Sequence, residues 1–169
     1  MKNYFAKIRT DGACPPRPAA SHVLWSWAGG LAGIAATAYL THLTGATLLM
    51  APFGATCVLA FGIPDSPLAQ PRNIVGGHLL SSLIGLVFLA LLGDAWWVMG
   101  LAVATAIAAM QWTRTVHPPA GADPLVVLMA APGWTFLVTP VLAGSLLLVA
   151  CAVLFNNLAT GRRYPKYWV

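Results

Sequence analysis

The residues best equipped for chemistry lie together in Arg114 to Pro124, which reads RTVHPPAGADP. A cation, a histidine, three prolines, a glycine and an acid stand there between two strongly apolar runs. Pro118, Pro119 and Pro124 prevent a continuous helix, and Gly121 relaxes the backbone between them. A helix that restarts after such a break presents free N–H groups with partial positive charge, a setting that suits an anion. Arg114, His117, Gly121 and Asp123 are therefore candidate binding or pathway residues. Asp123 has two readings. It could cap a half-helix beginning at Pro124 and pair with Arg114, Arg72 or His117, or it could exchange a proton with His117.

The same pattern occurs earlier. Pro52-Phe53-Gly54-Ala55-Thr56 matches Pro119-Ala120-Gly121-Ala122-Asp123 as P-x-G-A-polar. This adds Pro52, Gly54 and Thr56 to the candidates, with Arg72, Asn73 and His78 from the segment that follows. Ser81 and Ser82 share a helical face with His78 at i, i+3 and i+4, placed for ligand or helix-to-helix hydrogen bonds. His22 and His42, near a helix end, read as interfacial.

The elements that must position these residues are membrane elements. The chain has 169 residues, of which 59% are hydrophobic and 8% charged, with a mean hydropathy of +0.76. That excludes an ordinary soluble domain. The nine Lys or Arg and four Asp lie in the tails and at junctions, so the positive balance concerns topology and not nucleic acid. Cys14, Cys57 and Cys151 are too scattered for a disulfide framework or a thiolate metal site, and they read as apolar filler. No cofactor is implied. The basic first 21 residues lack a signal-peptide core and read as a retained cytoplasmic tail.

A bilayer core of about 30 Å needs about 20 apolar helical residues. Val23 to Leu43, Ile74 to Leu92, Ala95 to Thr113 and Trp134 to Phe155 meet that length. Ala46 to Ile63 is interrupted near its middle by Pro52 and Gly54. Leu125 to Ala131 would rise only about 10 Å as helix. If both short segments cross, there are six spans and every Lys and Arg falls on one side, with both termini cytoplasmic; if both are re-entrant, there are four. The charge bias favours six. Trp25, Trp27 and Trp112 then mark inner ends, and Trp96, Trp97 and Trp134 outer ones.

Residues 22–93 and 95–156 repeat the order of span, P-x-G-A break, short apolar run, proline, and span with a small-residue centre. The expected fold is an all-α polytopic membrane protein of two three-segment inverted repeats, each with one broken or re-entrant helix. Non-helical backbone at membrane depth should line a cavity. The expected site is small, electropositive and backbone-rich, with Arg72 and Arg114 at its cytoplasmic approach. Gly29 and Gly33 read as a packing surface.

HPPAGADP at His117 to Pro124, GATLLMAPFGATCVLAFGIPDSPLAQPRN at Gly45 to Asn73 and GGHLLSSLIG at Gly76 to Gly85 resemble the HPP family of integral membrane proteins, over about residues 20–156. That resemblance implies a membrane protein usually described with four spans, some of whose members carry nitrite. Some members also have nucleotide-sensing CBS modules; none is seen in this chain, so that regulation is not expected. The expected function is a transporter or channel for a small monovalent anion, most simply nitrite, in a bacterial cytoplasmic (inner) membrane. The alternative is a non-transporting scaffold or assembly module. An enzyme is disfavoured, because no nucleophile has an attendant base and no metal-ligand cluster is present. Expected partners are the lipid bilayer and the anion, not nucleic acid. So short a chain leaves little room for a pathway with moving halves, which makes a homodimer plausible.

Overall fold

The computed structural model describes residues 2–9 and 12–168. Its elements, among those residues, are all helical. A short helix α1 (Lys2–Ile8) precedes α2 (Ala20–Thr44), α3 (Pro52–Cys57), α4 (Pro71–Leu92), α5 (Trp96–Thr113), α6 (Asp123–Ala130) and α7 (Ala143–Leu158). A π-helical turn, Val58–Gly62, extends α3. A 3-10 turn, Pro118–Ala122, leads into α6, and irregular turns over Trp134–Leu142 lead into α7.

Three helical stretches are long and apolar enough to cross a membrane: Ala20–Thr44, Pro71–Leu92 and Trp134–Leu158. Helix α5, expected as a fourth, is not among them. It has 18 residues and includes Trp96, Trp97, Trp112 and Gln111, which dilute its apolar character. The stretch Trp134–Leu158 is less regular than expected, because Thr139 has non-helical angles of −133° and 122° just before Pro140. Proline removes a helical donor and pushes the residue before it toward extended backbone.

Both short segments differ in detail from expectation. The first is broken before Pro52, not across Gly54: residues 45–50 have no regular secondary structure, and Pro52 takes the first helical position, where its missing N–H costs nothing. The second restarts at Asp123 instead of Pro124 or Leu125, giving eight helical residues. Left-handed Arg114 (φ 59°) ends α5, and Ala131 (φ 44°) ends α6.

Helix α2 packs along α7, and α4 packs along α5 and α6. Close approach depends on glycines. A Cβ on Gly29 or Gly33 would run into the Phe61 ring, which supports their reading as packing positions. Around the first break lies the larger apolar core, including Phe53, Phe61, Ile74, Val141 and Leu148. Val98 and Ala102 of α5 and Leu128 of α6 form a smaller cluster between those helices.

Candidate functional site

The two breaks meet. Thr56 on α3, His78 on α4, His117 before the second break and Asp123 at the start of α6 are all fully buried. The Thr56 hydroxyl lies 2.8 Å from His78 Nε2 and 3.0 Å from His117 Nε2. On the far side of His78, Nδ1 is 2.8 Å from Asp123 Oδ2, which also accepts from the Ser82 hydroxyl at 3.1 Å. On the far side of His117, Nδ1 lies 2.8 Å from the Leu68 carbonyl oxygen. The two imidazoles stand edge to face with centroids 5.0 Å apart, and the Phe53 ring meets His78 edge-on at 5.1 Å.

Glycines on α4 and α7 make this meeting sterically feasible. A Cβ on Gly77, beside His78, would approach His117 Cβ to 2.8 Å and the Thr115 carbonyl to 3.0 Å. A Cβ on Gly144 would run into the Leu48 carbonyl and the Phe53 ring. Gly77 therefore receives the second break and Gly144 the first.

Asp123 does not cap α6 through its side chain, and its partner is His78 rather than Arg114, Arg72 or His117. The reason is direction: from the first helical position its carboxylate turns inward onto α4, away from the N–H groups of its own first turn. Of the sequence candidates, Thr56, His78, His117 and Asp123 are thus brought together. Arg72 instead donates to the Thr113 carbonyl at 2.9 Å, and Asn73 donates to the Val116 carbonyl at 2.9 Å. Arg72 thus holds the end of α5, and Asn73 holds the irregular segment that carries His117. Arg114 is exposed. Gly54 is exposed and Gly121 half-buried, and a Cβ on either would meet nothing within 4 Å.

The site therefore differs from the electropositive one expected, since among the described residues no Lys or Arg is bonded to the cluster. A groove of about 600 Å³ does run between the breaks, but Pro52, Ala55, Val58, Pro118, Pro119 and Ala122 make its lining apolar. Pro124 is buried against Gly85 of α4. Asp123 Oδ1 and Ser81 Oγ are buried with no hydrogen-bond partner.

Sequence reasoning did not single out the Leu68 carbonyl, which has no side-chain signal, or the segment that secures its loop. Residues after α7 fold back over residues 64–73. Tyr164 donates to the Ala69 carbonyl at 2.7 Å, Tyr167 donates to the Pro67 carbonyl at 2.8 Å, and Lys166 pairs with Asp65 at 2.8 Å. Arg162 donates to the Phe61 carbonyl and to Asn156 Oδ1, both at 3.0 Å, and its other nitrogen lies 3.2 Å from His22 Nδ1. His22 is thus a structural tie: its Nε2 lies 2.8 Å from the Gly62 carbonyl.

A family model described as "HPP, transmembrane region" matches residues 15–165. A transmembrane protein of Dictyostelium discoideum is 36% identical over 177 residues, covering 98% of this chain and 57% of the relative. A second transmembrane protein of that organism is 37% identical over 167 residues, covering 91% of this chain and 58% of the relative. The chain spans somewhat more than half the length of these curated relatives. No solved structure matches it.

Proposed function

Because this chain belongs to the HPP transmembrane family, we propose that it carries a small monovalent anion, nitrite or one of similar size, across the membrane. One observation carries the reading: Thr56 of the first break bonds His117 of the second, at a buried polar centre in an otherwise apolar membrane chain. Ionisable groups at membrane depth are costly and mark ion pathways or proton relays. Breaks that converge on one centre are also how transporters with inverted repeats form a midplane site. The reciprocal fit of Gly77 and Gly144 supports two such copies, each lodging the other's break. With six crossings both termini lie on the side of Arg72 and Arg114, the cytoplasmic face of a bacterial inner membrane.

The arrangement is a closed one. Entry of an anion requires a half-helix to move, and the apolar groove beside Pro52 and Pro118 leaves the two halves little to unlock there. The test is nitrite uptake into proteoliposomes containing the purified protein. Uptake should exceed that of empty liposomes, and Arg114→Ala and His117→Ala should each lower it. Equal uptake with and without protein overturns the reading.

The buried, sealed state of the cluster favours a second reading, a non-transporting scaffold whose HPPAGADP turn only defines the fold. That reading predicts no stabilisation by nitrite in a thermal-shift series, whereas a carrier should be stabilised as nitrite rises past its dissociation constant.

A further inference from the structure

The hydrogen count in the cluster is constrained more tightly than the distances alone suggest. The Leu68 carbonyl only accepts, so His117 Nδ1 must carry a hydrogen. A neutral His117 then has a bare Nε2, which needs the Thr56 hydroxyl to donate to it at 3.0 Å. Thr56 has one hydrogen. Its second imidazole contact, at 2.8 Å to His78 Nε2, is a hydrogen bond only if His78 donates. The Pro52 carbonyl, 3.3 Å from the same hydroxyl, competes for that hydrogen from further away. His78 Nδ1 in turn faces Asp123 Oδ2 at 2.8 Å. That contact needs a hydrogen too, supplied by a protonated Asp123 or by a doubly protonated His78. Two ordinary neutral histidines beside an ionised Asp123 would set a bare nitrogen against the Thr56 oxygen's lone pairs. The geometry therefore requires one proton more than that state contains.

We propose that Asp123, His78, Thr56 and His117 form one hydrogen-bonded chain holding a single mobile proton, and that this proton moves with the transported anion. With the proton on Asp123, every group is neutral. Passing it along, Asp123 Oδ2 gives its hydrogen to His78 Nδ1, His78 Nε2 gives one to Thr56, and the Thr56 hydrogen goes to His117 Nε2. Asp123 ends as carboxylate and His117 as imidazolium, and no proton is gained or lost. An anion beside the second break stabilises the second arrangement; when the site opens inward the anion and the His117 Nε2 proton leave together, and a proton taken up from the outer solution with the next anion restores the first. This supplies the positive charge that the cluster otherwise lacks.

The groups facing the chain are few. Thr56 and Phe53 come from α3, His78 and Ser82 from α4, the Leu68 carbonyl from the 64–70 segment, and His117 and Asp123 from the second break. The Leu68 carbonyl cannot carry a proton onward, so the closed state traps it. Exchange with water requires the 64–73 segment or a half-helix to move, which guards against a proton leak.

The coupling half of this inference rests on the anion-carrier reading, whereas the proton chain stands on geometry. Two measurements separate them. In NMR of protein labelled with nitrogen-15 histidine, His117 should be protonated at Nδ1 and bare at Nε2, and His78 should be protonated at Nε2. Adding nitrite should shift protonation toward His117 Nε2. Thr56→Val should break the coordinated pattern and Thr56→Ser should keep it. A His78 bare at Nε2 beside a His117 bare at Nε2, or spectra indifferent to Thr56→Val, would overturn the chain.

In the second measurement, proteoliposomes hold a pH-sensitive dye and are given external nitrite, with empty liposomes subtracted for nitrous acid leakage. Wild type should acidify the interior with uptake, and Thr56→Val and Asp123→Asn should each lower both by about tenfold or more. Asp123→Asn can still donate to His78 but has no transferable proton, so it decides the matter if Thr56→Val fails to fold. Uptake without acidification overturns the coupling. No uptake by wild type overturns the anion reading and the coupling together, and the NMR result then decides the proton chain alone.

Discussion

The two breaks carry the same P-x-G-A-polar motif and fold it differently. In the first, Pro52 to Thr56 is already α-helix and Phe53 plugs the larger apolar core. In the second, Pro118 to Ala122 is a 3-10 turn, and small Ala120 occupies the place corresponding to Phe53. One break is thus anchored by a buried aromatic ring and contributes a single hydroxyl. The other lacks that anchor, is preceded by a segment whose Thr113 and Val116 carbonyls accept from the Arg72 and Asn73 side chains, and contributes His117 and Asp123. The difference teaches that a motif occurring twice can divide its duties, with one occurrence fixing the scaffold and the other carrying the ionisable groups.

The largest effect should come from removing the anchor. Phe53→Ala deletes a fully buried ring and should lower stability by about 3–5 kcal/mol, read from the midpoint of denaturant unfolding in detergent. A loss no larger than that of a surface substitution would erase the distinction between the breaks. Next come the glycines. Gly144→Ala and Gly77→Ala should each cost about 1–3 kcal/mol by forcing a Cβ into the opposite break. Gly54→Ala and Gly121→Ala, which point into open space, should stay within about 0.5 kcal/mol. Equal costs across the four would mean that the breaks do not lodge against Gly77 and Gly144.

The smallest effect concerns the segment that covers the 64–73 loop. Burial raises the Tyr164 hydroxyl above its ordinary value of 10.0. It is kept neutral in the folded protein, whereas the unfolded chain ionises it near that value. The associated stability is therefore complete below about pH 10 and falls as pH rises beyond it. Tyr164→Phe should remove this alkaline decline and, by losing the bond to the Ala69 carbonyl, cost about 1 kcal/mol at neutral pH. Unfolding midpoints of the two proteins measured from pH 8 to 11 would show it.

Much of this architecture was legible. The apolar runs placed α2, α4 and α5 to within a few residues, because helix length and hydropathy are local properties. Pro140 was a readable warning that the last span would not be regular, and it lay within a run whose composition hid it. The polar candidates Thr56, His78, His117 and Asp123 were readable because an ionisable or hydroxyl group in an apolar membrane chain stands out. Arg72 and Arg114 stood out equally and lie outside the cluster. Composition marks a residue as unusual and does not say which way its side chain points.

From sequence alone came the membrane class, the family, the two interrupted segments and the residues with chemistry to offer. Only the tertiary structure decided that Asp123 faces His78 instead of an arginine, that one Thr56 hydroxyl serves both histidines, and that a backbone carbonyl at Leu68 fixes the His117 tautomer. The physical reason is the range of the interactions. Hydropathy and helix breaking act between neighbours in the chain. A hydrogen bond between residues 41 to 61 positions apart exists only once helices have packed, and glycines at 77 and 144 must first let them come close.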